Sequence, residues 1–221
     1  YCRRFQDAIA QYDQAIDLQP NHKWAYVLKS WALLNQIGET REARGVLEAG
    51  RACNGRWPEL TWLEAYYDLC DEDYVHALSL MTAPGDVFSP ENPDTSDYYS
   101  LKGLTYALMG QPQVARVYFD SARVRLETML STVSNPAPLL SSLANAYAGL
   151  GQIDKAVSLA RRATELDPVS ADALDGPNYV RALARVYAQV GQQDQAIELV
   201  AYLLTIPSNL SANTLKLTPE F

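Results

Sequence analysis

The chain has 221 residues, a formal net charge of −8, 48% apolar residues and 20% charged residues. That balance belongs to a folded chain and excludes disorder by composition, while the acidic excess disfavours general binding to phosphate backbones. No apolar run approaches the ~18–20 residues of a membrane-spanning helix, and three scattered cysteines, Cys2, Cys53 and Cys70, lie at no metal or redox spacing and suit reduced thiols in a cytoplasm.

Along the chain, Phe5, Ala8, Ile9, Tyr12, Ala15 and Ile16 fall at helical spacing ahead of Pro20, which predicts an amphipathic helix. Tyr1 to Phe5 reads as the inside of a repeat whose own first helix is missing. A fragment of a longer protein is therefore expected, with an apolar face around residues 5–18 open to solvent or to another molecule, a second copy included. Leu34, Gly38 and Ala43 mark a helix, a glycine stop and a second helix. Ala65, Tyr74 and Ala77 mark a less regular pair, followed from Thr82 to Asp97 by a stretch with Pro84, Gly85, Pro90 and Pro93 that predicts a long loop. Gly103, Tyr106, Gly110, Ala115, Phe119 and Ala122 form the next pair.

The segment from Pro136 to Pro168 is the clearest. Leu139, Leu140, Leu143, Ala144, Tyr147 and Leu150 predict one helix, Gly151 a stop, and Ile153, Ala156, Val157, Leu159, Ala160, Ala163 and Leu166 a second helix ended by Asp167-Pro168. So short a connection forces the two helices to lie antiparallel. Ala144 and Ala156 are expected to face each other where they cross. Ser131 to Pro138 and Ser170 to Pro177 predict shorter loops, with Asp175-Gly176-Pro177 opening a further helix. Ala184, Tyr187, Gly191 and Ala196 belong to that last pair.

The pairs share one phrase. Ala8, Ala43, Ala77, Ala115, Ala156 and Ala196 recur at steps of 35, 34, 38, 41 and 40 residues. Twelve residues before the later five stand Trp31, Ala65, Gly103, Ala144 and Ala184; nine before the last three stands a tyrosine; five before four of them stands a glycine. A period of this length predicts stacked supersecondary units in a single elongated array, each touching only its neighbours.

No phosphate loop, nucleophile elbow or dinucleotide fingerprint occurs. His22 and His76 lie in different units, without a companion at metal-ligand spacing. Asp68, Asp71, Glu72 and Asp73 lack the alternation of a calcium loop and read as a solvated helix junction. A non-enzymatic chain without cofactor or metal is expected.

These residues resemble the tetratricopeptide repeat, over about residues 1–207. Leu143-Ala144-Asn145-Ala146-Tyr147, then Gly151, Ala156, Ala163 and Pro168, matches nearly every position of its pattern. Trp31, in a small position, and the third unit, with Glu72 and Asp68 at the glycine and tyrosine positions, depart from it. The resemblance implies an all-α, right-handed α-solenoid of about five and a half helix-turn-helix repeats, with residues 208–221 a capping segment or the start of a further element. The longer units and the C-terminal phrase also look like the repeat arrays of large bacterial signalling proteins. In those, a kinase, a cyclase or a DNA-binding module precedes the repeats, so a sensory or oligomerisation role is the alternative.

In the family the first helices line a concave groove that takes a protein or peptide. Carried onto this chain, the lining includes Trp62, Leu63, Tyr66 and Leu69, then Leu101, Leu104 and Leu108, then Ser141, Ser142 and Asn145, then Asn178, Arg181 and Arg185. Trp62 and Tyr66 either anchor a bulky ligand side chain or fill space beside the loop at 82–97. Leu104 is an apolar wall, and Asn145 is placed to bond peptide backbone. Arg181 and Arg185, at i and i+4, either hold a carboxylate or, for Arg181, pair with Asp175 or Asp172. Lys29 and Lys102 do not complete the family's carboxylate clamp.

Overall fold

The computed structural model describes residues 3–55, 58–81 and 95–218. Among them are twelve α-helices and no strand: α1 Phe5–Leu18, α2 Lys23–Ile37, α3 Thr40–Asn54, α4 Pro58–Cys70, α5 Tyr74–Leu80, α6 Thr95–Leu108, α7 Pro112–Leu130, α8 Ala137–Gly149, α9 Ile153–Leu166, α10 Gly176–Gln189, α11 Gln193–Thr205 and α12 Ala212–Leu217. The fold is an all-α repeat solenoid of helix pairs. They group into two compact units, one holding α6–α11 and the other α1–α5 together with α12. Of the long loop expected at 82–97, residues 82–94 lie outside the described residues and 95–97 already belong to α6. Likewise α8 and α10 begin within the loops expected before them.

The turns inside the pairs explain why the pairs form. Gly151 takes φ 76°, a left-handed conformation that costs a residue with a Cβ ~1–2 kcal/mol. The following Gln152 N–H then reaches back to the Tyr147 carbonyl at 2.9 Å, satisfying one of the helix's last acceptors. The same bond runs from Gln111 to Tyr106 at 2.9 Å and from Gln192 to Tyr187 at 2.8 Å. The third pair makes it as well. Glu72 holds φ 61° at the glycine position, and Asp73 N–H reaches the Asp68 carbonyl at 2.8 Å. The irregular unit keeps the turn and stores strain at Glu72 instead of using glycine.

In the unit of α6–α11 the core is built on small residues at the crossings. Ala144 and Ala156 are both fully buried, in one cluster with Ala122, Leu126, Leu143, Tyr147, Val186 and Tyr187. Phe119 lies between two glycines of neighbouring helices. A Cβ on Gly103 would come within 2.9 Å of its ring, and one on Gly149 would overlap it. Tyrosines nine residues before the alanine reach the preceding pair: Tyr147 Oη donates to Glu127 on α7, and Arg161 Nε on α9 donates to Tyr187 Oη at 2.8 Å. Lys102, at a register filled by Leu143 and Leu183 in the next two pairs, is buried with its Nζ 4.9 Å from the centre of the Tyr118 ring. Burial opposes its charge, yet the hydroxyls of Tyr98 and Tyr118 hold its pKa above the ordinary lysine value.

The unit of α1–α5 and α12 places polar groups at the same registers. Ser30 is fully buried, shares a 2.6 Å hydrogen bond with Tyr67 Oη and donates to the Ala43 carbonyl at 3.1 Å. Buried Glu64 pairs with Arg51. Asp68 stands where other pairs have tyrosine, and it is buried rather than solvated. Arg44 Nη2 lies 2.9 Å and His76 Nδ1 2.8 Å from its carboxylate. Burial pushes the Asp68 carboxyl above the usual aspartate range, and Arg44 and His76 counteract part of that shift. Of the junction expected to be solvated, Asp71, Glu72 and Asp73 are exposed, and only Asp68 departs from that expectation by being buried in an ion cluster. Trp31 fits its crowded position by staying half-buried, its ring 5.6 Å from Tyr66 and edge-on to Tyr67.

Two expectations change. The face at residues 5–18 is largely covered, with Ile9 buried and Phe5, Ala8, Tyr12, Ala15 and Ile16 half-buried on α1, while Leu18 is 88% exposed. Contacts are also not confined to neighbouring pairs, because α12 packs on α2 across 176 residues of chain.

Candidate functional site

Two positions on each first helix share one face, fifteen and eleven residues before the recurring alanine. In the unit of α6–α11 they are Ser100 and Leu104 on α6, Ser141 and Asn145 on α8, and Arg181 and Arg185 on α10. All six are half-buried, whereas Gly103, Ala144 and Ala184 on the packed face are buried. Since α8 packs against both α6 and α10, the three faces adjoin. The unit therefore presents a surface of one apolar side chain, two serines, one asparagine and two guanidinium groups, with no carboxylate at these registers.

Two shielded polar atoms on this face, Ser100 Oγ and Asn145 Oδ1, lack a hydrogen-bond partner among the described residues. A buried acceptor left unpaired costs about 1–3 kcal/mol, so such atoms are rare in folded chains and call for an explanation. Asn178, expected on the same wall, is engaged within the chain, its Oδ1 accepting from Asn209 Nδ2 at 2.9 Å. Asp172 is likewise committed. Its Oδ1 accepts from the N–H groups of Leu174 at 2.7 Å and Asp175 at 2.9 Å, and this holds the carboxyl below its ordinary pKa. Leu101 is 6% exposed and belongs to the core rather than to the lining.

In the other unit the same two registers of α4 hold Trp62 and Tyr66, stacked with centroids 5.5 Å apart and planes 5° from parallel. Tyr66 is 8% exposed and also meets Trp31. Trp62 is half-buried, and its Nε1–H is shielded without an acceptor. Leu63 and Leu69 are core residues at 1% exposure each. The six residues expected to form a groove are thus distributed as Leu104, Asn145, Arg181 and Arg185 on neighbouring helices of one unit, and Trp62 and Tyr66 on α4 of the other. Reading of residue type passed over Ser100. Its position fifteen residues before Ala115, in step with Trp62, Ser141 and Arg181, is the signal that identifies it.

Both histidines have structural partners, His76 on Asp68 as described. His22 caps α2, accepting from Ala25 N–H at 3.2 Å. Burial, then the contact with Cys53, raises the Tyr26 hydroxyl to about 12. Among the described residues no three or more His, Cys, Asp or Glu side chains are grouped to hold a metal, and no helix is long and apolar enough to cross a membrane.

Family models of the tetratricopeptide repeat match residues 137–170 and 177–201. No curated protein sequence matches the chain. Among solved structures, PilW, a type IV pilus biogenesis factor, is 14% identical over 91% of this chain and 85% of its own, with a TM-score of 0.50. YrrB, a tetratricopeptide-repeat protein with an unusual peptide-binding site, is 16% identical over 88% and 91%, with a TM-score of 0.38. MamA is 15% identical over 91% and 87%, with a TM-score of 0.27. At 14% identity the likeness to PilW is one of fold. The two matched segments are the pairs α8–α9 and α10–α11, whose turns and tyrosines are described above, and the chain therefore carries tetratricopeptide repeats over residues 137–170 and 177–201.

Proposed function

We propose that the chain is a non-enzymatic scaffold that binds a protein or peptide along the half-buried faces of its first helices. The observation that carries this reading is where the unpaired polar atoms lie. Ser100 Oγ, Asn145 Oδ1 and Trp62 Nε1 all occupy the two lining registers. In the unit of α6–α11, a ligand segment that supplies an N–H to Asn145 removes the cost of leaving that acceptor unpaired. In the same unit, the guanidinium groups of Arg181 and Arg185, one turn apart on the same face of α10, favour a ligand with an acidic group, which a guanidinium engages through two parallel hydrogen bonds.

The test places a photo-crosslinking residue at Ser141, on the lining face, or at Ser158, on the exposed face of α9. A discrete adduct is expected from position 141, weakened by Asn145→Ala and Arg185→Ala, and none from position 158. Equal adducts from both positions, or an adduct at 141 indifferent to both alanine variants, would contradict the proposal.

A further inference from the structure

The carboxyl end of a helix leaves carbonyls without intrahelical donors. At α2 those donors come from the far end of the chain. Ser211 Oγ donates to the Asn35 carbonyl at 2.9 Å, and Asn213 Nδ2 donates to the Gln36 carbonyl at 2.7 Å. Thr214 Oγ1 donates to Asn35 Oδ1 at 3.2 Å, and Arg3 Nε donates to the Leu210 carbonyl at 3.2 Å. The fit is close, since a Cβ on Gly38 would come within 2.9 Å of Asn213 Cβ. Leu210, Ser211 and Thr214 are buried at 2%, 6% and 7% exposure.

A helix of six residues has no stability of its own in water. A capping box between Ser211 and Thr214 sets its first turn, and docking on α2 supplies the rest. The residues that dock are polar donors matched to helix-end acceptors, which is a specific fit and not general apolar cover.

We infer that residues 210–218 are an intramolecular strap that closes the carboxyl end of α2, so that the first helix pairs and the end of the chain fold and loosen as one body. Any event that draws the segment away, such as cleavage, extension or capture by a partner, frees the Asn35 and Gln36 carbonyls and loosens α2. This inference is independent of the ligand-binding face.

The full chain carrying Ser211→Ala with Asn213→Ala tests it by hydrogen exchange. Amides of residues 34–38 are expected to exchange about tenfold faster, the change that follows from losing one or two such bonds, with residues 143–163 unchanged. A chain ending at Asn209 should show the same loosening, reversed by adding a synthetic peptide of residues 208–221. Unchanged exchange at residues 34–38 in the double variant would overturn the inference. So would a dimer that becomes monomeric when residues 210–221 are removed, because the segment would then be exchanged between copies.

Discussion

The two units solve one packing problem with different chemistry. Thirteen residues before the alanine, the pairs α8–α9 and α10–α11 bury Leu143 and Leu183, whereas the pairs α2–α3 and α4–α5 bury Ser30 and Glu64. Nine residues before it, the first two carry Tyr147 and Tyr187, and α4 carries Asp68. Each buried polar group of the second kind meets its partner on an adjacent helix: Tyr67 for Ser30, Arg51 for Glu64, Arg44 for Asp68. A repeat thus tolerates a polar or charged side chain at a core register when a neighbour supplies its partner, and Lys102 on α6 meets the same need with the Tyr98 and Tyr118 hydroxyls. Such a match is made pair by pair.

The sharpest way to break this comparison is to remove one partner from each version. Arg44→Met removes the guanidinium from the Asp68 carboxylate, whose side chain is 4% exposed, leaving it only His76, and should cost ~3 kcal/mol of unfolding free energy. Tyr147→Phe, at the tyrosine register, loses one hydrogen bond to Glu127 and should cost ~1 kcal/mol. Equal losses in urea unfolding would mean that the Asp68 cluster is not a buried ion network.

Next in size are the crossings. Ala156→Leu, and Gly149→Ala against the Phe119 ring, should each cost ~1–3 kcal/mol through overpacking, while Ser158→Leu on the exposed face should leave the melting temperature in place. Matching melting temperatures for Ala156→Leu and Ser158→Leu would refute the crossing. Glu72→Gly should stabilise by ~1 kcal/mol, because the left-handed position is strained for glutamate. If it destabilises, side-chain contacts of Glu72 outweigh the strain.

The smallest effects separate the units by pH. The raised pKa of Asp68 means that folding favours its proton. Its contribution is present below the ordinary aspartate value and is lost as pH rises through the raised one. Asp172 is opposite. Hydrogen bonds from the backbone of Asp175 and then Leu174 lower its pKa, so its contribution is present above the ordinary value and is lost as pH falls through the lowered one. Unfolding measured across acid pH should show a smaller loss on raising pH for Asp68→Asn, and a smaller loss on lowering pH for Asp172→Ala.

What the sequence revealed followed from period. The alanine ladder placed the helix pairs and the burial of Ala144 and Ala156 in one core, because each is a spacing repeated along one chain. What it hid depends on particular partners. Asp68 looks solvated until Arg44 and His76 are placed beside it, and Glu72 looks like a lost stop until its φ shows the turn intact. Gly149 has no periodic counterpart, and its role appears only with the Phe119 ring against it. The strap joins Ser211 to Asn35 across 176 residues, a pairing that no local pattern announces.

The central claim is that the lining face holds polar atoms for a ligand rather than for the fold. The most direct measurement is the unfolding free energy of Asn145→Leu, compared with the unsubstituted chain. Because Asn145 Oδ1 is shielded and unpaired, the account predicts a gain of ~1 kcal/mol when an apolar side chain of similar size replaces it. A loss of that size would show that Asn145 serves the core and would contradict the account.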